Sequence, residues 1–203
     1  MSVLRLYKDE TLESMVSAGG EFSNPDEEES LDGGAGETAT AALWVAVEQT
    51  TLAADIDDST QSLTLAADRF AGTDYPVIVV GSEKMLITAG FGTSSLTVTR
   101  GYNNTTAAAH STGDPVRAAY DCSSISIDCA DSEGSDESGW VTYCDDNGSG
   151  SPDGVWEAPH SLGSLAVSDN AAIHRRVVVP SGTPASYKLD LVHRLSATIN
   201  EIS

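Results

Sequence analysis

The sequence predicts an all-β protein, an immunoglobulin-like β-sandwich into which a small β-barrel or meander module is inserted. The first observation is residues 54–120, where short runs rich in β-branched residues alternate with glycine, asparagine and aspartate turns. The second is a set of about seven strand-like runs in residues 1–53 and 121–203, with a tryptophan in mid-chain and turns between them. We therefore expect the outer segments to form the sandwich and the middle segment to form the module.

Four short runs define the strands of the predicted module. They alternate partly between apolar and polar residues and cover residues 62–65, 77–80, 84–88 and 95–100. Residues 105–110 differ, because their three alanines favour a short helical turn that residues 111–115 would end.

The outer segments supply the predicted sandwich strands. These are residues 3–7, 40–48, 124–129, 140–144, 162–166, 172–180 and 188–199. Residues 40–48 have apolar side chains on both faces, which is typical of a strand buried on both sides, with a helix as the alternative because of the alanines. In the last run the leucines, His193 and Ile199 share one face, opposite Arg194 and its polar neighbours.

The charge of the chain is strongly negative. It has 31 acidic and 10 basic residues, a formal net charge of −21. Such a surface repels phosphate, so we expect no nucleic-acid partner. The acidity is typical either of a disordered acidic segment or of a folded protein adapted to high salt. Strand patterns and three tryptophans persist through the chain, which favours the folded, salt-adapted interpretation.

No apolar run is long enough to cross a membrane, and the first ten residues lack the apolar centre of a signal peptide. We therefore expect a soluble chain without membrane insertion. Residues 8–38 form a long polar span that includes an acidic loop at 24–30. This span is expected to be an acidic interaction arm or, alternatively, a loop ordered by a neighbour.

The candidates for chemistry are few. The four histidines are scattered and no G-x-S-x-G motif occurs, so we expect neither an enzyme nor an organic cofactor. Asp145, Asn147 and Asp153 lie in a loop that imitates the start of an EF-hand, but its twelfth position is Trp156 instead of glutamate. A solvated acidic turn is the favoured interpretation, with a looser Ca²⁺ or Mg²⁺ site at these three residues as the alternative.

The three cysteines, Cys122, Cys129 and Cys144, do not have zinc-site spacing. Cys129 and Cys144 flank one acidic loop, so they could pair across a hairpin. The favoured alternative is three buried thiols that behave as small apolar side chains.

The module contains four short motifs: Ile-Asp-Asp at 56–58, Gly-Ser-Glu at 81–83, Thr-Arg-Gly at 99–101 and Thr-Thr-Ala-Ala-Ala-His at 105–110. Together they resemble a small β-module that recurs in structural proteins of tailed viruses. Trp156 and the runs 162–166 and 176–185 are similar to the closing half of immunoglobulin-like domains of virion and cell-surface proteins. The acidic, lysine-poor composition resembles that of proteins of halophilic archaea and their tailed viruses.

The resemblance implies a non-enzymatic structural protein located in the virion, a homo-oligomer that docks on other virion subunits. It favours the tail tip or baseplate, with capsid decoration as the alternative. A host-attachment module that binds a surface glycan is a further alternative, because Tyr75, Phe91 and Tyr102 lie in turns of the module, where aromatic rings could stack on sugar.

The salt-adapted interpretation makes a testable prediction. The folded chain should be less stable in dilute buffer than in molar KCl, because salt screens the repulsion among the acidic residues. Circular dichroism in both conditions measures this. Loss of ellipticity on raising the salt concentration would contradict the interpretation.

Overall fold

The computed structural model describes residues 3–16, 31–131, 136–184 and 191–203. Within these residues the chain is all-β, and the predicted fold class, a β-sandwich-like all-β protein, is confirmed. The strands are β1 (Leu4–Tyr7), β2 (Glu37–Val47), β3 (Gln49–Thr51), β4 (Ser62–Thr64), β5 (Val77–Val80), β6 (Glu83–Ala89), β7 (Ser95–Thr99), β8 (Pro115–Ala118), β9 (Tyr120–Asp131), β10 (Val141–Asp145), β11 (His160–Leu165), β12 (Asn170–Val179) and β13 (Leu191–Glu201). Single 3₁₀ turns lie at Tyr102–Asn104 and Ser138–Trp140.

Seven of the described strands form the two antiparallel sheets of the sandwich. One sheet has the order β1-β2-β12-β10 and the other the order β11-β9-β13. The division into four and three strands is that of an immunoglobulin constant-type domain. In that domain the fifth strand along the chain belongs to the four-stranded sheet and the sixth to the three-stranded sheet. Here the assignment is reversed, because the fifth sandwich strand, β11, pairs with β9 and the sixth, β12, pairs with β2.

The remaining six strands form one antiparallel sheet in the order β3-β8-β5-β6-β7-β4. Its strands run from Gln49 to Ala118, nearly the same stretch as the expected module at 54–120. Because β3 and β8 pair with each other, the chain enters and leaves this sheet side by side. The polypeptide is thus returned to the sandwich close to where it left. We call this six-stranded sheet and its turns the module.

The core is formed by the buried residues that alternate with exposed residues along the strands. In β7 every second residue is buried, as a half-buried strand requires. In β9 the same alternation is interrupted at Ser124, which has a φ of 51° and forms, with Ile125, a bulge opposite Ala197 of β13. One apolar cluster joins the inward side chains of the module and of both sandwich sheets, including Ile78, Ile125 and Ile173.

A second, smaller apolar cluster lies on the outer face of the four-stranded sheet. Leu12 and Met15, from the segment after β1, pack there with Tyr7, Trp44 and Ala46. The described start of the expected arm therefore lies against the sandwich. The acidic loop at 24–30 lies outside the described residues.

Two buried polar contacts fix the module to the sandwich. At the entry, the Glu48 carboxylate accepts a hydrogen bond from Arg5 at 2.7 Å and another from the backbone N–H of Phe70 at 2.8 Å. At the exit, the buried ammonium group of Lys84 donates to the carbonyl of Ile202, and the N–H of Ile202 donates to the carbonyl of Ala119 at 3.0 Å. Both ends of the chain thus hold the base of the module.

One local prediction is wrong. Residues 105–110 do not form a helical turn; Thr105 is extended, with φ −82° and ψ 163°, and His110 forms a bridge with Ile56. The reason is tertiary, because Ala108 donates its N–H to Glu83 and accepts a hydrogen bond from Arg100 through its carbonyl. These bonds override the helical preference of alanine.

The entry contact gives a stability prediction. Replacing Glu48 with glutamine removes the charge that compensates Arg5, whose side chain is only 7% exposed. We expect Glu48→Gln to lower the free energy of unfolding by about 3 kcal/mol. Urea unfolding followed by tryptophan fluorescence measures it.

The matched control is Glu10→Gln, which removes a carboxylate from an exposed position. Its free energy of unfolding should stay within about 0.5 kcal/mol of the wild type. Equal effects of the two substitutions would contradict a structural role for the Arg5–Glu48 pair.

Candidate functional site

The carboxylate of Glu83, the first residue of β6, takes part in five hydrogen bonds. The side chain is 1% exposed and forms a two-pronged ion pair with Arg100, whose Nε and Nη2 each lie 2.7 Å from one carboxylate oxygen. Nε2 of His110 lies 2.9 Å from Oε2. The pair is therefore both buried and geometrically fixed.

Backbone groups complete the arrangement. The N–H groups of Gly101 and Ala108 donate to the two Glu83 oxygens at 3.0 and 3.1 Å. Arg100 in turn donates to the carbonyls of Asp57, Thr60 and Ala108. We call these residues, together with His110, the Glu83 network.

The network explains the glycine of the Thr-Arg-Gly motif. Gly101 has a φ of 59°, a left-handed conformation that favours glycine. A Cβ atom there would lie 3.0 Å from the carbonyl oxygen of Thr105. The conformation aims the Gly101 N–H at Glu83, so a larger residue would disturb the network.

The protonation state of Glu83 follows from its contacts. Burial by itself raises the pKa of the carboxyl group, but hydrogen bonds from Arg100, His110 and the two backbone N–H groups outweigh it and lower the pKa to about 2. Glu83 is therefore ionised at neutral pH. Both of its oxygens accept hydrogen bonds from groups of the same chain, and these bonds hold the loops that contain Gly101, Ala108 and His110 in place.

All four motifs that resemble the viral module meet at this network. Ile-Asp-Asp contributes the Asp57 carbonyl and the bridge from Ile56 to His110, and the other three motifs contribute Glu83, Arg100 with Gly101, and Ala108 with His110. Sequence reasoning identified the motifs but not their meeting point. A glutamate opening an apolar strand, with an arginine ending a later strand, is the signal that could have revealed it.

Of the candidate metal ligands, Asp145 is the last residue of β10, and Asn147 and Asp153 lie in the loop that follows. Asp145 accepts a hydrogen bond from Nε2 of His160 at 3.0 Å, the Asn147 side chain accepts bonds from Ser149, and Asp153 accepts a bond from the N–H of Val155 at 2.9 Å. Each side chain thus has a partner in its own surroundings. Within the described ranges, no group of three or more histidine, cysteine, aspartate or glutamate residues is placed to hold a metal ion.

Two histidines tie this loop to the sandwich. Nε2 of His174, in β12, lies 2.8 Å from a carboxylate oxygen of Asp146, and Nε2 of His160, in β11, bonds Asp145. Both imidazoles are buried. Two adjacent carboxylates, at the end of β10 and at the start of the loop, are therefore bonded to strands of both sheets.

The candidate contact aromatics are half-buried. Tyr75, Phe91 and Tyr102 all pack against the main apolar cluster, and the Tyr75 ring meets Tyr120 edge-on with centroids 5.3 Å apart. Phe91 lies in the turn between β6 and β7, and Tyr102 in the 3₁₀ turn after β7. These rings cover the core of the module with one side and leave part of their surface to solvent.

The remaining predicted chemistry lies inside the sandwich. Cys122, Cys129 and Cys144 are free and buried, and burial raises the pKa of Cys122 to about 11 and that of Cys129 to about 12. His193 of β13 shares a hydrogen bond of 2.6 Å with the hydroxyl group of Tyr143. Burial lowers the pKa of His193 to about 3, so this imidazole is neutral and links the two sheets.

Comparison of the chain with protein-family models, with curated proteins and with solved structures found no significant match. Among the described residues, no helix has the length and apolar character needed to span a membrane.

The Glu83 network gives a pH prediction. Because the pKa of Glu83 is lowered from 4.5 to about 2 in the folded state, its contribution to stability is present above pH 4.5 and is lost as the pH falls through about 2. We expect Glu83→Gln to cost about 3 kcal/mol at neutral pH, since Arg100 loses its partner. The difference from wild type should shrink between pH 4.5 and pH 2.

Urea unfolding across this pH range measures the effect. Asp58→Asn, at an exposed position of the neighbouring turn, is the control and should leave stability within about 0.5 kcal/mol of wild type. A difference between Glu83→Gln and wild type that does not change with pH would contradict the ionised state assigned to Glu83.

Proposed function

We propose that this chain is a non-enzymatic structural protein of a tailed virus particle, which acts by docking on neighbouring subunits. The observation that carries the proposal is the meeting of the four module motifs at the Glu83 network. Those motifs are the ones that resemble the viral module, and their polar groups bond one another within the chain. Hydrogen bonds that hold the loops of the module in one conformation suit a surface that contacts neighbouring subunits.

The attachment of the module supports the same role. The contacts of Glu48 at the entry and of Lys84 at the exit are buried and hold the module against the sandwich. A subunit that sets the positions of its neighbours in a particle needs its own parts to be held in a fixed arrangement. An immunoglobulin-like scaffold with a rigidly held module meets that need.

The distribution of charge supports a high-salt host. Arg5, Lys84 and Arg100 are used in internal ion pairs with Glu48, Glu201 and Glu83. Of the basic residues that the structure describes, Arg194 alone is exposed. The acidic surface is therefore left largely without basic neighbours, and screening by concentrated salt would offset its repulsion.

The position in the particle is proposed as the tail tip or baseplate, with capsid decoration as the second candidate. The two differ in copy number, because a shell offers hundreds of equivalent sites and a tail tip offers tens or fewer. The module and its partly exposed rings form the contact surface in either case.

Quantitative mass spectrometry of purified particles from a high-salt host tests the proposal. We expect the protein among the structural components at a copy number in the tens or fewer relative to the major capsid protein. A copy number in the hundreds would move the protein to the capsid. Absence from intact particles of a virus that encodes it would contradict a structural role in the virion.

A further inference from the structure

The last strand of the sandwich, β13, is exceptional among the edge strands of the described chain. It has 11 residues and pairs with β9 on one side. The other edge strands, β1, β3, β4, β10 and β11, have three to six residues. A long edge strand presents a row of backbone donors and acceptors to any strand that can lie beside it.

Some of the usual protections of an edge strand are missing from β13. Between Leu191 and Glu201 there is no proline and no lysine, and the bulge at this pairing lies in β9, at Ser124. The edge strand β11 of the same sheet, by contrast, has two register shifts and a glycine at 163 with a φ of 72°. Among the described residues, β13 is thus an edge strand in which the extra residue of the bulge belongs to the neighbouring strand.

The charge of β13 also differs from that of the chain. No aspartate or glutamate occurs from Leu191 to Asn200, although the chain contains 31 acidic residues. Arg194, the exposed basic residue noted above, lies in this strand. Two copies that each carry a net charge of −21 repel one another over most of their surface, whereas in β13 only the last residue, Glu201, is acidic.

The side-chain pattern of β13 is self-complementary. Leu195, Ala197 and Ile199 point to the core side and are only half-buried, whereas Ser196 and Thr198 are exposed on the outer side. If an identical strand lies antiparallel with a two-fold axis at Ala197, Leu195 faces Ile199 of the second copy and Ser196 faces Thr198 of the second copy.

We propose that β13 pairs with β13 of a second copy of this chain, antiparallel about Ala197, to form a two-fold dimer with a continuous six-stranded sheet. Each copy would contribute its β11-β9-β13 sheet. The half-buried apolar residues on the core side are then covered by the same residues of the other copy. The proposal deepens the structural role given above and rests on it for its biological setting.

A charge exchange at the outer positions tests both the interface and its register. In the double variant Ser196→Lys, Thr198→Lys, the lysine at position 196 of each copy faces the lysine at position 198 of the other, so the interface contains two lysine–lysine pairs. In the matched variant Ser196→Glu, Thr198→Lys, each glutamate faces a lysine instead. Both variants change the same exposed residues and lose the same hydrogen bond between Ser126 and Ser196, which spans 2.8 Å.

Sedimentation velocity in molar KCl tests whether the wild type forms a dimer, and the same measurement at about 0.15 M KCl, where the screening length of about 8 Å lets facing charges interact, compares the variants. We expect a wild-type dimer, a dissociation constant raised about tenfold or more in the lysine–lysine variant, and a value within about threefold of wild type in the glutamate–lysine variant. Circular dichroism checks that both variants fold as wild type.

A monomeric wild-type chain at every concentration overturns the proposal, and so does an oligomer that both variants leave unchanged. Neither result bears on the role in the virion, which the composition of purified particles decides separately. Conversely, a dimer with the expected charge dependence stands even if the protein is absent from particles.

Discussion

The structure depends on the short pairing of β3 with β8 at the base of the module. Gln49 lies opposite Arg117 in this pair, so the chain departs from β2 and returns to β9 through neighbouring strands. A module held only by two adjacent strands would be free to rock. The buried contacts of Glu48 with Arg5 and Phe70, and the contacts of Ile202 with Lys84 and Ala119, prevent this by fixing the base from two directions.

Buried charge has a particular meaning in so acidic a chain. A buried ion pair in an ordinary protein roughly breaks even against apolar packing. Here two of the few basic residues, Arg5 and Arg100, pair with buried glutamates, and bulk salt screens these pairs little, while it screens the exposed carboxylates strongly. Concentrated salt can therefore relieve surface repulsion without dissolving the contacts that set the arrangement of the module.

Local patterns in the sequence predicted most strands, because alternation and turn residues act over a few positions. Residues 62–65, 77–80 and 95–100 were predicted as strands and correspond to β4, β5 and β7. What could not be predicted is non-local. The exchange of β11 and β12 between sheets depends on pairings between distant segments, and the extended form of residues 105–110 depends on Glu83 and Arg100, which lie elsewhere in the sequence. The motifs were visible, but the network that joins them required the fold.

The three cysteines all lie between positions 122 and 144, so every thiol of the chain belongs to the sandwich and none to the module. Their burial suppresses the thiolate, the form that reacts with alkylating and disulfide reagents. Labelling of the thiols in the native protein therefore requires the sandwich to open and does not depend on opening of the module. The chain consequently contains a built-in reporter that measures the opening of one of its two parts on its own.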